Sequence, residues 1–395
     1  MGSEREAAGE VRYVQSGRQL DEVLSAVRSR ELVAVDTEFV GEGSYQPILC
    51  LAQVATEDGI WIVDPLAVND LSALWQLLTE PGREVIALAP REELRFCLRY
   101  AGRVPDPLFD PQTAAALVGY GYPLSHTNLV RQVLGVRVAG GESFTDWRRR
   151  PLTERQMEYA ADDVRYLLAV RNELLKRAEA LGRTEWIRDE CRNLVERIVA
   201  AEREERWWKV SGGGNLRPRE LAVLRELWRW RDQEARAGDL PPRRVLKDEM
   251  LVEIAKRKPA TTADLFALRG LERGAVRSAG SAIVGAVQTA LKLPDQELPK
   301  LLRRDDPPQV QVLQQLLSVA TGALSQQHQV DPALLATTSD LQELVRWRLG
   351  LTEEKPPLLE GWRGEILGGP LLDLLDGKGH VRVGNLKEAN PLVFE

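Results

Sequence analysis

The sequence predicts an α/β core with a mixed sheet, followed by all-helical modules. Short apolar runs typical of strands occupy the first 65 residues, helical periodicity dominates afterwards, and a glycine run and a proline-containing charged stretch divide the helical part. At 395 residues the chain is long enough for two or three domains. Its 44% hydrophobic and 28% charged residues are typical of a globular protein.

Four candidate strands open the chain, with the helical stretch QLDEVLSAVRS between the first two. They are VRYV, LVAVDTEF, ILCLAQVAT and GIWIVDP. Helical periodicity returns at LSALWQLLT, REELRFCLRYAG, DPQTAAALVGYG and TNLVRQVLG. From Thr153 to Glu205 the pattern is almost wholly helical and begins with TERQ, which is typical of a capping box. This helical stretch is predicted to close the first domain, residues 1–210.

The remaining sequence predicts two helical modules. SGGGN at 211–215 is a glycine run with no side chains to pack, which indicates a linker. Residues 211–300 are predicted to form a compact helical module, led by the amphipathic segment PRELAVLRELWRWRDQEAR. RRDDPPQ indicates a second break, and residues 301–395 are predicted to form the second helical module.

The net charge of −6 is unevenly distributed. Leu216–Lys292 carries 16 Lys and Arg against 10 Asp and Glu, a charge of +6, which leaves −12 for the rest of the chain. Carboxylates for metal in one part and basic side chains for phosphate in the other would produce this division. No stretch of about 18 apolar residues occurs, and the three cysteines form no CxxC pair. We therefore expect a cytoplasmic protein with no membrane segment, disulfide framework or zinc site.

Asp36 and Glu38 stand at positions i and i+2 of a predicted strand, so both side chains point to one face. A hard divalent ion would compensate their mutual repulsion; a solvated strand end is the alternative. Tyr159 and Asp163 lie at i and i+4, on one face of a helix. A phenol beside a metal-binding carboxylate can position a water. The alternative is a core tyrosine and a surface aspartate, with Asp162 as a solvated neighbour.

In this order the two patterns resemble the DEDD exonuclease superfamily in its tyrosine-bearing branch, which implies a ribonuclease H-like core. VDTEFVGEGSYQPILCLAQVAT resembles the first exonuclease motif of the ribonuclease D family, including Gln53 in its second strand. FDPQTAAALVGYG, NLVRQVLGV and TDWRRRPLTERQMEYAADDVRYL resemble the intervening segments and the third motif. This similarity covers residues 11–200.

The similarity continues into the helical modules. LRELWRWRDQEARAGDLPPRRVLKDEMLVEIA resembles the HRDC domain shared by RecQ-type helicases and ribonuclease D, and LLEGWRGEILGGPLLDLL resembles the C-terminal part of ribonuclease D. Arg243, Arg244 and Lys247 become candidates for phosphate contacts, with a solvated helix face as the alternative. Phe39 is a candidate to stack on terminal bases, with core packing as the alternative, and Gln53 is a further candidate nucleic-acid contact.

The sequence departs from the family pattern in its second motif, which matches VIALAPREELRF. Leu88 occupies the position of a histidine, and Glu93 that of an aspartate. Glutamate keeps the charge but is one methylene longer, which Mg²⁺ tolerates less well than Mn²⁺ or Ca²⁺. Gly140 is the nearest equivalent of a lysine common before the DW pair, so a phosphate contact is lost there. We interpret these changes as tuning rather than inactivation.

The resemblance implies two-metal hydrolysis at an RNA 3′ end, with release of nucleoside 5′-monophosphates. Asp36, Glu38 and Asp163 would hold two Mg²⁺ or Mn²⁺ ions. Glu93 would support the second ion directly or through water, and Tyr159 would orient the attacking water. The expected partner is the single-stranded 3′ end of a structured RNA, such as a transfer RNA precursor, and the chain is taken to act as a monomer. A DNA exonuclease and a catalytically weakened RNA-binding protein are the alternatives.

Overall fold

The computed structural model describes residues 9–141, 145–271, 273–300, 306–388 and 390–394, with positions 273, 275 and 276 described by their backbone alone. The predicted break RRDDPPQ falls partly on residues 301–305, outside the described residues. Two compact units are present. One comprises the described residues up to Glu38, Cys50–Glu202 and the part after position 305; the other comprises Phe39–Leu49 and the described residues from Arg203 to position 300.

A six-stranded mixed sheet has the order β1-β4-β3-β2-β5-β6. Its strands are β1 (Val11–Val14), β2 (Leu32–Val40), β3 (Ile48–Thr56), β4 (Gly59–Val63), β5 (Glu84–Ile86) and β6 (Leu108–Phe109). β1 pairs with β4, β2 with β5 and β5 with β6 in parallel, whereas β3 and β4 are antiparallel. The four predicted strands are confirmed. β5 and β6 were not predicted, because runs of three and two residues carry no readable alternation.

Helices follow and separate the strands. They are α1 (Gly17–Arg28), α2 (Pro65–Val68), α3 (Ser72–Leu78), α4 (Arg91–Ala101), α5 (Pro111–Leu117), α6 (His126–Leu134), α7 (Glu154–Arg165), α8 (Leu167–Ala180) and α9 (Thr184–Arg203). Several of them bury apolar side chains along one face, among them α1, α4 and α7. The predicted capping box is present: the Thr153 hydroxyl accepts from Gln156 N at 3.1 Å, and Gln156 Oε1 accepts from Thr153 N at 3.0 Å. These two bonds fix the first turn of α7.

The second unit is a helical module with its own apolar core. Its helices are α10 (Pro218–Ala237), α11 (Pro242–Val245), α12 (Asp248–Arg257), α13 (Thr262–Phe266) and α14 (Arg273–Leu291). Leu224, Leu227 and Leu251 are fully buried in that core. The glycine run is not an open linker: Gly213–Asn215 forms a 3-10 turn with Gly213 buried, where an added Cβ would lie 3.0 Å from a Leu224 methyl. A side chain at this position would crowd the Leu224 methyl.

The C-terminal part belongs to the first unit. It contains α15 (Pro308–His328), α16 (Pro332–Leu335), α17 (Thr338–Arg348), α18 (Gly361–Arg363), a π-helical turn (Gly364–Gly368), α19 (Gly369–Leu375) and a hairpin of β7 (Val381–Val383) and β8 (Leu392–Phe394). Arg183 donates to the carbonyls of Leu117 at 2.7 Å and His328 at 2.6 Å. Asp331 accepts from Tyr122 N at 3.1 Å. None of the described helices combines the length and apolar character that a membrane span requires.

Candidate active site and metal centre

Three carboxylates from two elements meet in the first unit. Asp36 and Glu38 project from β2, and Asp163 projects from the third turn of α7. Each offers one oxygen, and these oxygens all lie within 4.8 Å of one another. The i, i+2 spacing on a strand places the first two side chains on one face, and α7 brings the third to the same place. The structure thus brings together the three carboxylates that the sequence singled out.

Burial and mutual repulsion disfavour negative charge in this group. Burial, followed by the charges of Asp163, Glu93 and Glu38, raises the pKa of Asp36 well above its usual value. Burial, then Asp163 and Glu93, raises the pKa of Glu38 to about 8. Burial and the neighbouring Asp162 raise the pKa of Asp163 to about 7. No lysine or arginine of the described chain contributes to these shifts, so the cluster has no internal counter-charge.

This arrangement fits a divalent cation. Asp163 Oδ2 is buried and has no hydrogen-bond partner in the described part of the protein. An orphaned buried oxygen beside two further carboxylates is costly unless a cation accepts their lone pairs. Carboxylate oxygens are the ligands that Mg²⁺ and Mn²⁺ prefer. The chemistry of these donors therefore fits the divalent metal that the resemblance implies.

Glu93 does not join this group of three. It lies buried on α4, and Thr37 Oγ1 donates to its Oε1 at 2.5 Å. Burial raises the pKa of Glu93 to about 7, although the Thr37 hydrogen bond opposes the rise. Glu93 contributes through its charge to the raised pKa of Asp36 and of Glu38. Its support of a second ion, directly or through water, stays a prediction.

Tyr159 lies one helical turn before Asp163 on α7 and is partly exposed. Its ring packs against the fully buried Trp147, with ring centroids 5.9 Å apart. Trp147 belongs to the DW pair of the third motif, so this motif supplies the aromatic ring that packs against the Tyr159 ring. The spacing of four residues places Tyr159 and Asp163 on one face of the helix, as the sequence predicted.

Asp162 and His126 are two neighbours of Asp163 that sequence reasoning misjudged or missed. Asp162 is buried rather than solvated, forms an ion pair with Arg165 at 3.0 Å, and has a pKa raised to about 6 by burial. His126 begins α6, and its Nδ1 lies 3.9 Å from Asp163 Oδ1. Burial lowers the pKa of His126 to about 4. The one available signal was that the first 327 residues contain no other histidine.

The predicted nucleic-acid contacts are placed differently from one another. Arg243, Arg244 and Lys247 are exposed in the second unit, and Arg243 pairs with Asp248 at 3.0 Å. Phe39 is 36% exposed. Gln53 has no exposed surface, and neither of its side-chain polar atoms has a partner in the described structure. The structure corrects the RNA contact at Gln53, because a residue in the core cannot touch RNA.

Comparison with known proteins agrees with the motifs along the chain. A family model for a 3′-5′ exonuclease matches residues 11–179, a model for the HRDC domain matches 220–287, and a model for the C-terminal HRDC domain of ribonuclease D matches 311–371. A ribonuclease D of Gluconacetobacter diazotrophicus is 37% identical over 369 residues, covering 92% of this chain and 93% of that protein. Ribonuclease D of Escherichia coli is 34% identical over 361 residues, covering 90% and 96%.

The fold is also that of a solved relative. The crystal structure of E. coli RNase D, described as an exoribonuclease involved in structured RNA processing, has a TM-score of 0.80 and 32% identity to this chain, covering 93% of it and 99% of the relative. The predicted fold class, a mixed-sheet exonuclease core followed by helical HRDC modules, is confirmed. Because relatives above 30% identity extend along nine-tenths of its length, the chain belongs to the ribonuclease D family.

Proposed function

We propose that this protein is a metal-dependent exoribonuclease that removes nucleotides one at a time from RNA 3′ ends. The observation that carries the proposal is the group of Asp36, Glu38 and Asp163, whose carboxylates converge without an internal counter-charge. A site selected for stability alone would pair these acids with arginine or lysine. Acids kept apart from any protein cation are suited to binding one from solution.

Asp36, Glu38 and Asp163 would hold divalent ions, Mg²⁺ or Mn²⁺, two of them in the proposed reaction. Such ions, when bound, lower the pKa of a water and offset the charge that develops on the phosphodiester during displacement. The three carboxylates must be ionised to bind a cation, so their raised pKa values make occupancy increase with pH.

Tyr159 is proposed to orient the attacking water. Two observations support this role: Tyr159 lies one helical turn before Asp163, and the buried Trp147 ring packs against its ring. The hydroxyl can accept one hydrogen bond from the water and direct its lone pair to the phosphorus of the last phosphodiester. In-line attack there releases a nucleoside 5′-monophosphate.

Glu93 is proposed to support the second ion of the metal site directly or through water. Its carboxyl is held by Thr37, yet its charge contributes to the raised pKa of both Asp36 and Glu38. An acid in this place increases the attraction of the whole cluster for cations. Glutamate in place of aspartate favours Mn²⁺, which tolerates less regular coordination geometry than Mg²⁺.

The helical modules are proposed to hold the body of the RNA. We divide the chain into a nuclease domain, residues 1–210, an HRDC domain, 211–300, and a second HRDC-like module, 301–395; the family matches support all three parts, while residues from Arg203 pack with the HRDC unit. Arg244 and Lys247 are exposed and basic, which suits contacts with backbone phosphates. A structured RNA such as a transfer RNA precursor, with a single-stranded 3′ end, is the proposed substrate.

Digestion of a 5′-labelled RNA with a 3′ overhang tests this function. The protein and its Asp36→Asn variant are compared in EDTA, Mg²⁺ and Mn²⁺, with a DNA of the same sequence as a second substrate. A ladder that shortens from the 3′ end only with metal and only in the unaltered protein is expected. Intact RNA in every condition, with binding retained, would instead indicate a non-catalytic RNA-binding protein, and faster loss of the DNA would indicate a DNA exonuclease.

A further inference from the structure

His126 lies where an imidazole could serve the metal site. It is the first residue of α6, and the Ser125 side chain caps that helix by accepting from Asn128 N at 3.4 Å. The His126 side chain is 14% exposed and that of Asp163 is 12% exposed. In the described part of the chain, neither His126 Nε2 nor Asp163 Oδ2 has a hydrogen-bond partner.

The two side chains do not satisfy each other. His126 Nδ1 and Asp163 Oδ1 are 3.9 Å apart, beyond the range of about 2.7–3.2 Å for a hydrogen bond. A neutral imidazole retains one nitrogen lone pair, and burial of a polar atom without a partner is unfavourable. The atoms without a partner are His126 Nε2 and Asp163 Oδ2, whereas the 3.9 Å separation is that of His126 Nδ1 and Asp163 Oδ1. A ligand shared by the two side chains would explain why they approach each other without a hydrogen bond.

The separation of His126 Nδ1 and Asp163 Oδ1 fits a shared metal ion. Metal–nitrogen and metal–oxygen bonds of about 2.0–2.2 Å place two ligands of one ion between roughly 3 Å and 4.3 Å apart, for angles from 90° to 180°. The observed 3.9 Å lies within that interval. We infer that His126 is a nitrogen ligand to a divalent ion held by Asp163. His126 is not within the 4.8 Å group formed by the three carboxylates, so it serves the Asp163 side of the site.

The inference predicts a metal preference. An imidazole nitrogen is a better ligand for Mn²⁺, Co²⁺ and Zn²⁺ than for Mg²⁺, which strongly prefers oxygen. A mixed nitrogen and oxygen donor set therefore selects transition metals. The inference rests on the proposed function because it uses the same metal site.

Pulsed electron paramagnetic resonance of the full-length protein loaded with Mn²⁺ tests the assignment directly. The chain contains three histidines, His126, His328 and His380. We expect imidazole ¹⁴N modulation of the Mn²⁺ signal in the unaltered protein and in the His328→Gln/His380→Gln double variant, where His126 is the one histidine left. The His126→Gln variant should bind Mn²⁺ about tenfold more weakly, lose the modulation when saturated, and show a lower ratio of Mn²⁺ to Mg²⁺ activity.

The outcomes separate this inference from the proposed function. Bound Mn²⁺ without ¹⁴N modulation in the unaltered protein, or modulation that persists in saturated His126→Gln, overturns the role of His126 and leaves the nuclease proposal intact. Loss of modulation in the double variant has the same meaning, since it assigns the nitrogen to another histidine. Failure of the unaltered protein to bind Mn²⁺, with RNA degradation retained in Mg²⁺, also overturns the role of His126 alone. Failure to degrade RNA in any metal overturns the proposed function itself.

Discussion

Asp163 on α7 and Glu190 on α9 are both acidic side chains of the first unit with little exposed surface, but their surroundings differ. Glu190 Oε1 accepts from Arg363 Nη1 at 2.5 Å, and its Oε2 accepts from Arg363 Nη2 at 2.7 Å. Trp362 Nε1 donates to Glu190 at 3.0 Å. Burial alone would raise the pKa of Glu190, but the hydrogen bonds and charge of Arg363 outweigh it and lower the pKa. Asp163 has no such cation, and its pKa is raised to about 7.

The difference distinguishes an acid that holds the fold together from an acid that binds a ligand. A bidentate arginine and an indole N–H supply Glu190 with partners from within the chain. These contacts join α9 to the C-terminal part, where Trp186 also stacks on Trp362 at 5.2 Å. The carboxylates around Asp163 repel one another and find no such partner. Burial without compensation is a feature of functional sites, since folding alone gives no reason to keep it.

Replacement of Asp163 by asparagine should produce the largest effect on activity and little loss of stability. Removal of one metal-binding carboxylate should reduce the rate of 3′-end degradation on the order of 10³-fold, equivalent to about 4 kcal/mol. The metal-free variant should be at least as resistant to urea at pH 8 as the unaltered protein, because one repelling charge is gone. Initial rates in Mn²⁺ and urea midpoints in EDTA measure the two effects. Retained activity, or a marked loss of stability in EDTA, would contradict this view of the site.

Replacement of Arg363 by methionine should have the opposite profile. It leaves Glu190 buried without its cation, which should cost about 3 kcal/mol of unfolding free energy. Activity per folded molecule should stay near that of the unaltered protein, because neither residue touches the carboxylate group. Urea unfolding followed by tryptophan fluorescence measures the loss. The Glu190→Met/Arg363→Met double variant is the matched control and should recover much of the stability; if it is no better than the single variant, packing rather than charge explains the effect.

The pH dependence of the unfolding free energy should also differ between the carboxylates around Asp163 and the Glu190 ion pair. Glu38, Asp163 and Glu93 have folded-state pKa values of about 8, 7 and 7, above those of the unfolded chain, so in EDTA their contribution to stability is lost as pH rises from about 4 to 8. Glu190 has a lowered pKa, so its contribution is lost as pH falls below about 4.5. Bound Mn²⁺ at 100 times its Kd should add about 2.7 kcal/mol at pH 8.

Thermal melting in EDTA and in Mn²⁺ across pH 5–8.5 checks this division. The Mn²⁺-induced rise in melting temperature should grow with pH in the unaltered protein, because protons compete with the ion for the same oxygens. The Asp163→Asn variant should show little rise at any pH. A metal-induced rise that is equal at pH 5 and pH 8, or equal in the variant, would show that Mn²⁺ binds elsewhere.

Local pattern explains which features the sequence could predict. The strands β1–β4, the capping box of α7, and the shared faces of Asp36 with Glu38 and of Tyr159 with Asp163 follow from spacing on a strand or a helix. That the three carboxylates meet was implied by the resemblance to DEDD exonucleases. The Arg363 contact with Glu190 joins residues 173 positions apart, and no periodicity encodes such a pair.

Other features depended on tertiary packing in the same way. Burial of Asp162 and Gln53, the approach of His126 to Asp163, and the bond between Glu93 and Thr37 arise only when separate elements pack together. Residue type and spacing predicted the surroundings of a side chain where its partners are near in sequence. They did not predict those surroundings where the partner comes from a distant part of the chain.

Glu93 is intermediate between the two sites, because it is buried beside the metal-binding acids but has one hydrogen-bond donor. Replacement of Thr37 by valine removes that donor while keeping the shape of the side chain. We expect a loss of about 1 kcal/mol in unfolding free energy. Because the Thr37 hydrogen bond lowers the pKa of Glu93, its removal should raise that pKa and move the rise of Mn²⁺-dependent activity to higher pH.

Initial rates of RNA degradation between pH 6 and pH 9 measure this shift, with Thr37→Ser as the control that restores the hydroxyl. Glu93→Gln should make the profile insensitive to the residue at position 37, because no ionisable group remains for the hydroxyl to influence. If the pH–activity profile of Thr37→Val is unshifted while stability falls as expected, Glu93 resembles Glu190 and contributes only to the stability of the fold. If the profile is shifted, Glu93 resembles Asp163, because the ionisation of an acid alters the pH dependence of the rate only when that acid is coupled to the metal ligands.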